Sequence, residues 1–169
     1  YHLGEHGLWQ KRSLFEHSAR VTMVIYKPGM KAGNMQTTKL VELIDLYPTL
    51  ASLCGLDVPG HVMGKDLSGL LDGEDVVTRT ASLTTENRNE RIEGRQTYYT
   101  GHTIRTDRYR YTEWDRGKHG VELYDHDVDP VEMNNLADDR EFDDVRAKMA
   151  VLMEQKLDMV RGKNLDEWK

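Results

Sequence analysis

Residues 21–26 read Val-Thr-Met-Val-Ile-Tyr, and Pro28-Gly29 stops the run. An apolar, β-branched stretch of this length, closed by turn residues, predicts a strand buried on both faces. Such a strand needs a neighbour on each side and a layer on each face. The first sixty residues offer little of this. They hold one helix, over about 46–54, and at most a short strand at 40–43. Asp45 is placed to cap that helix, Pro48 fits its first turn and Gly55 follows its end. Leu46, Leu50 and Leu53 form its predicted apolar face, and Cys54 reads as a buried structural thiol. One strand and one helix cannot make a parallel sheet. The run therefore predicts a piece of a larger α/β fold. The start at Tyr1, with no initiator Met and no signal segment, points the same way.

Residues 57–78 are rich in Gly and Asp and read as a surface connector. Short β-type runs follow at 80–85, 97–106, 108–114 and 121–124. Turn material separates them: ENRNERIEG, Thr106-Asp107 and DRGKHG. Adjacent short runs with tight turns predict an antiparallel meander. A helix is predicted over about 140–161, with Phe142, Val145, Met149, Leu152 and Met153 at helical spacing. Asp138 or Asp139 caps it and Gly162 ends it. The predicted domains are residues 1–78, the end of an incomplete α/β domain with its connector, and 79–169, an antiparallel sheet with a terminal helix.

Charge and cysteine content remove several function classes. Lys plus Arg is 23 and Asp plus Glu is 29, a formal net charge of −6. With no basic block, this does not read as a nucleic-acid binder. No apolar stretch approaches the roughly 20 residues of a membrane span. A lone cysteine excludes an internal disulfide framework and a multi-cysteine zinc site. His2-Leu3-Gly4-Glu5-His6 fits H-x-x-E-H, the inverted zinc-peptidase pattern. That chemistry needs both histidines on one helix face, and Gly4 and Gly7 argue against a helix there. Asp125, Asp127 and Asp129 resemble the start of a calcium loop. Pro130 and Leu136 stand where such a loop wants Gly and Glu, so a solvated turn is the plainer reading.

The runs LGEHGLWQKRSLFEHSARV, VIYKPG and VELIDLYPTLASLCGLDVPG together resemble the sulfatase family of the alkaline-phosphatase superfamily. KDLSGLLDG is similar to a later family segment, with Gly69 where proline is usual. GHTIRTDRYRYTEW and ELYDHDVDPVEMNNLAD resemble its C-terminal subdomain, most closely the iduronate-2-sulfatase branch. The likeness runs in order over residues 1 to about 155. It implies an alkaline-phosphatase-like α/β fold ending in a small antiparallel sheet and a long helix.

The resemblance also implies sulfate-ester hydrolysis, on a sulfated sugar or glycosaminoglycan. It implies a formylglycine nucleophile and a divalent cation, Ca²⁺ or Mg²⁺, both supplied upstream of Tyr1. No metal ligand is expected here, and Cys54, followed by Gly-Leu-Asp-Val, does not match the nucleophile motif. The missing N-terminal part of the same enzyme is the expected partner, and this chain alone is expected to be inactive. One family position carries over: Lys11, after GEHG-x-W-x, as the sulfate-binding lysine. His6 belongs to the same loop. His102, Arg105 and Arg108 in the predicted sheet are candidates to meet an acidic glycan. The family suggests a periplasmic, secreted or lysosomal setting. The alternatives are a non-catalytic module that binds sulfated glycans, and the zinc peptidase.

Overall fold

In a computed structural model, residues 1–163 are described. They form two compact units. One joins Tyr1–Val21 to Leu83–Lys156; the other joins Thr22–Ser82 to the chain from Leu157.

The first unit is built on a four-stranded sheet in the order β1 (Ser82–Ile92), β2 (Arg95–Arg105), β3 (Tyr109–Trp114), β4 (Val121–Asp125). The β2–β3 and β3–β4 pairs are antiparallel, so the meander forms as its short runs and tight turns predict. The first hairpin differs. ENRNERIEG reads as a turn, yet β1 continues through most of it and only Glu93 and Gly94 turn, both with positive φ. Two such residues make the primed turn that matches strand twist, so the polar side chains before them stay in a strand with an exposed face.

β3 is the strand most deeply enclosed: Arg110, Tyr111, Thr112 and Trp114 are all buried. Ile104 on β2 and Leu123 on β4 are fully buried beside it. Asn135 and Leu136 close the outer side of β4: Leu123 N–H donates to Asn135 Oδ1 at 2.9 Å, and Leu136 N–H to Leu123 O at 2.8 Å. Backbone groups on an edge strand are thereby satisfied within the chain. A 3₁₀ turn at Arg140–Phe142 leads into helix α4, Asp143–Lys163. Asp139 Oδ1 accepts from Glu141 N–H at 3.0 Å, the expected cap. Met149 and Met153 are buried, as their spacing predicts. Gly162 does not end the helix, which continues to Lys163.

In the second unit, the 21–26 run forms no strand. Met23 and Ile25 are half-buried, but Val24 is 84% and Tyr26 77% exposed. Exposure alternates along the run, and no described strand pairs with it. A strand is made by its neighbours, and residues 22–82 supply only an isolated bridge between Leu40 and Arg79.

Helix α2, Leu46–Leu53, forms where the pattern predicts, but it turns a different face inward. Pro48 and Thr49 are buried while Leu50 is 52% exposed. The reason is polar. Thr49 Oγ1 donates to Asp45 O at 2.6 Å and accepts from Leu67 N–H at 2.9 Å. Fully buried Asp45 accepts from the Glu42 and Lys65 backbone N–H groups and pairs with Arg79. These bonds draw residues 64–67, just ahead of short helix α3 (Ser68–Leu71), onto α2. They fix which side of α2 is covered. Cys54, five residues beyond Thr49, lies about 140° around the helix from it, and it is exposed rather than buried.

In the first unit, Gly101 of β2 faces Trp114 of β3 directly. A Cβ there would stand 2.4 Å from the Trp114 ring and 2.8 Å from Leu14 Cδ1. Both neighbours are buried, so neither yields cheaply. Gly101→Ala is expected to lower unfolding stability by about 1–3 kcal/mol, read as the urea midpoint. Gly33→Ala, with open space around its Cα, is expected to move the midpoint little.

Candidate active-site loop and its ion cluster

The N-terminal loop closes on itself. His2 N–H donates to Gln10 O at 3.1 Å and Gly4 N–H to Leu8 O at 2.9 Å. The GEHG turn between them needs its glycines: Gly4 has φ 122° and Gly7 φ 69°, with His6 also at positive φ. Glu5 does not project outward as a free base. Its Oε2 accepts from Leu3 N–H at 2.6 Å, which holds its carboxyl below the usual value.

His2 is fully buried, with Nε2 at 2.7 Å from Ser13 Oγ. Ser13 Oγ donates onward to Ser18 Oγ, so His2 Nε2 is assigned as the donor to Ser13. Burial, together with the neighbouring His17 and His6, lowers the His2 pKa. His6 stacks on Phe15, centroids 3.8 Å apart and planes within 4°. His2 lies outside the 3₁₀ turn Glu5–Gly7, so the H-x-x-E-H pattern does not place two histidines on a helix face.

Lys11 stands at the exit of this loop and is exposed. Its carbonyl accepts from Ser13 N–H at 3.0 Å, and the carbonyl before it accepts from His2. Backbone bonds therefore hold both sides of the residue that carries the ammonium. Arg12 is not turned to solvent alone. Its Nε donates to Glu86 Oε1 at 2.9 Å and its Nη2 to Asn87 O at 2.6 Å, tying the loop to β1.

The same segment is fastened again at short helix α1, Glu16–Ala19. β2 and β3 place Arg105 directly opposite Arg110. Like charges in that position repel. Two carboxylates answer them. Arg110 is ion-paired with both Glu16 and Glu132, and Arg105 Nε lies 3.7 Å from Glu16 Oε2. Glu132 is 1% exposed, at φ 61°; its Oε2 accepts from Glu16 N–H at 2.7 Å and its Oε1 lies 2.8 Å from His126 Nε2. Burial opposes the charge on Glu132, but the His126 bond and Arg110 outweigh it and hold its pKa below the usual carboxylate range.

Of the residues read as substrate-binding, Lys11 and His6 share the loop and the others are spread over the sheet. His102 Nδ1 lies 3.0 Å from Thr85 Oγ1. Arg105 belongs to the ion cluster. Arg108, in the turn after β2, binds Asp125 in a two-pronged pair at 2.9 and 2.6 Å and also lies 3.2 Å from Asp127. Asp129, third of the D-x-D-x-D residues, accepts from Asn134 N–H at 2.7 Å, so these carboxylates organise a turn. Arg110 and Glu132 were not singled out by the sequence. Arg110 pairs with residues 94 and 22 positions away, which no local spacing reveals.

Among the described residues, the donor atoms of Glu16, His126 and Glu132 lie within 4.8 Å of one another. The Arg110 guanidinium already binds both carboxylates there, so a cation would meet a fixed positive charge. Exposed Cys54 likewise has no arginine motif after it. The described residues thus do not fit the cation or formylglycine that the resemblance implies.

Losing one partner of a buried pair leaves a charge unmatched. Glu132→Gln is expected to cost about 3 kcal/mol at pH 7. Because the folded-state pKa is lowered, this contribution is complete above the ordinary glutamate value of about 4.3. It is lost as pH falls through the lower folded value. The stability gap between wild type and variant, measured by urea unfolding from pH 7 to 3, is expected to narrow only on the acid side.

The N-sulphoglucosamine sulphohydrolase C-terminal family matches residues 4–159. An N-acetylglucosamine-6-O-sulfatase of Bacteroides thetaiotaomicron is 25% identical over 169 residues, 99% of this chain and 30% of that protein. A Delta 4,5-hexuronate-2-O-sulfatase of the same organism is 31% identical over 146 residues, covering 84% and 29%. A solved 2-O GAG sulfatase is 30% identical with a TM-score of 0.56, over 71% of this chain and 25% of that one. The chain therefore spans about a quarter to a third of the length of these relatives. A family match over nearly the whole chain, together with a shared fold, means that the chain belongs to the sulfatase family, in its C-terminal region.

Proposed function

We propose that this chain is the C-terminal part of an enzyme that hydrolyses sulfate esters of sugars, and that Lys11 holds the sulfate. The supporting observation is the closed GEHG loop, which bonds the backbone on both sides of Lys11 while its side chain stays exposed. Those bonds fix the backbone from which the ammonium extends. Aimed at the sulfate oxygens, the ammonium stabilises charge that develops in the transition state. His6, stacked on Phe15, shapes the loop that delivers it. The nucleophile and cation of the family are proposed to come from polypeptide outside this sequence.

The substrate class follows from the relatives, which act on N-acetylglucosamine and hexuronate sulfates. The finer reading, an iduronate-2-sulfatase-like enzyme, rests on GHTIRTDRYRYTEW. Arg105 and Arg108 in that segment already face carboxylates. In this proposal Arg105, Arg108 and His102 shape the surface that the substrate meets.

The 169-residue chain is expected to release no sulfate from an aryl sulfate above a heat-killed control. In the full-length enzyme, Lys11→Ala is expected to lower kcat/KM on the order of 10²–10³-fold with the fold unchanged. Lys11→Arg is expected to recover part of this, since a planar fork replaces a compact point charge. Measured on the aryl sulfate, Arg12→Ala serves as the comparison: it loses the bonds to Glu86 and Asn87 but no sulfate contact. Equal, small losses at Lys11 and Arg12 would refute the assignment.

A further inference from the structure

A second feature of the same loop faces β1. Leu8, Gln10 and Arg12 line a surface pocket of about 260 Å³ with Arg88, Asn89 and Glu90. Its two guanidinium groups are held in place. Arg88 lies over the Trp114 ring, 4.0 Å from its centroid, with Nη1 3.6 Å from Glu90 Oε1. Trp114 is buried, so it is a fixed platform. Arg12 is oriented by Glu86 and by the Asn87 carbonyl. Those bonds use two of its five N–H donors and leave the rest for a ligand.

The charges decide what kind of ligand fits. Arg12 and Arg88 are matched by Glu86 and Glu90, so no net positive field draws an anion here. The pocket instead presents oriented donors from guanidinium and amide groups, acceptors from amide and carboxylate oxygens, and one apolar side, Leu8. That mixture suits the hydroxyls and C–H face of a sugar. The volume lies just under the usual range of roughly 300–1,000 Å³ for small-molecule pockets, room for one ring rather than two. Gln10 and Arg12 are also the residues on either side of Lys11.

We propose that this pocket seats an uncharged pyranose ring of the substrate, the ring whose sulfate ester reaches Lys11, and so favours a glucosamine-type sulfate over the iduronate-type substrate, whose ring carries a carboxylate. The place of the sulfate rests on the proposed function; the pocket's affinity for the ring does not. Arg88 and Asn89 are then specificity-determining residues, which bind the sugar without touching the sulfur.

The test uses the full-length enzyme with N-acetylglucosamine 6-sulfate, with 4-nitrophenyl sulfate, and with unsulfated N-acetylglucosamine as competitor. Arg88→Ala is expected to raise KM for the sugar sulfate, and the inhibition constant of the unsulfated sugar, about tenfold, the scale of one lost hydrogen bond to a charged donor. The kcat for the sugar and the KM for the aryl sulfate should not change. Asn89→Ala leaves the Trp114 stacking intact and should move the sugar KM in the same direction, which guards against a folding defect in the first variant. An equal change on both substrates, an unchanged sugar KM, or no turnover of the sugar sulfate by wild type would overturn the proposal. Lys11→Ala separates the two ideas. If it is silent while Arg88→Ala still divides the substrates, the sulfate assignment fails and the pocket stands.

Discussion

Two arginines stand opposite each other across β2 and β3, and the first unit is arranged around neutralising them. Arg105 and Arg110 are register partners in a sheet whose central strand is buried. Left alone, the pair would repel in a medium that screens poorly. Glu16 reaches it from the N-terminal segment and Glu132 from the loop after β4. The two carboxylates balance the two guanidinium groups, and His126 bonds to Glu132 from its side. Glu132 holds a positive φ to do this, a backbone conformation that costs a non-glycine residue free energy and persists only where its surroundings demand it.

This charge balance has a geometric consequence for the loop that carries Lys11. Glu16 lies five residues after Lys11, and its backbone N–H and its carboxylate are both taken up by the cluster. Upstream, His2 and Ser13 close the loop from the other side. Between those anchors, Arg12 binds β1. The segment from His2 to Glu16 is thus closed on itself and fastened to the sheet unit at β1 and at the ion cluster, without a regular helix or strand of its own beyond short turns. A loop fixed by buried polar bonds is the usual way to place a binding group rigidly at a surface.

The second unit uses the same device on a smaller scale. Asp45 is fully buried and gathers two backbone N–H groups and Arg79. Those bonds, rather than leucine burial, decide how α2 and residues 64–67 meet. They also explain why Leu50 and Cys54 face outward although the helix pattern suggests the opposite. The 21–26 run shows the converse case. Its composition asks for burial, but no neighbouring strand among the described residues provides it.

Local chemistry determined a good part of this protein. Short β-type runs and turn residues marked the β2–β4 meander, helical spacing with Asp138 or Asp139 as cap marked α4, and Gly4 and Gly7 marked the loop, because each depends on residues close in sequence. The β1 hairpin was partly hidden, since its polar residues resemble a turn until the two-residue turn at Glu93-Gly94 is seen. Tertiary structure alone decided the rest. Arg105 and Arg108 look like ligand-binding arginines in sequence, but folding matches them to Glu16 and Asp125. Arg110, Glu132 and the Arg12–Arg88 pocket join residues tens of positions apart. Ion pairing and burial act through space at a few ångströms, and sequence spacing carries no record of which distant charges the folded chain will bring within that range.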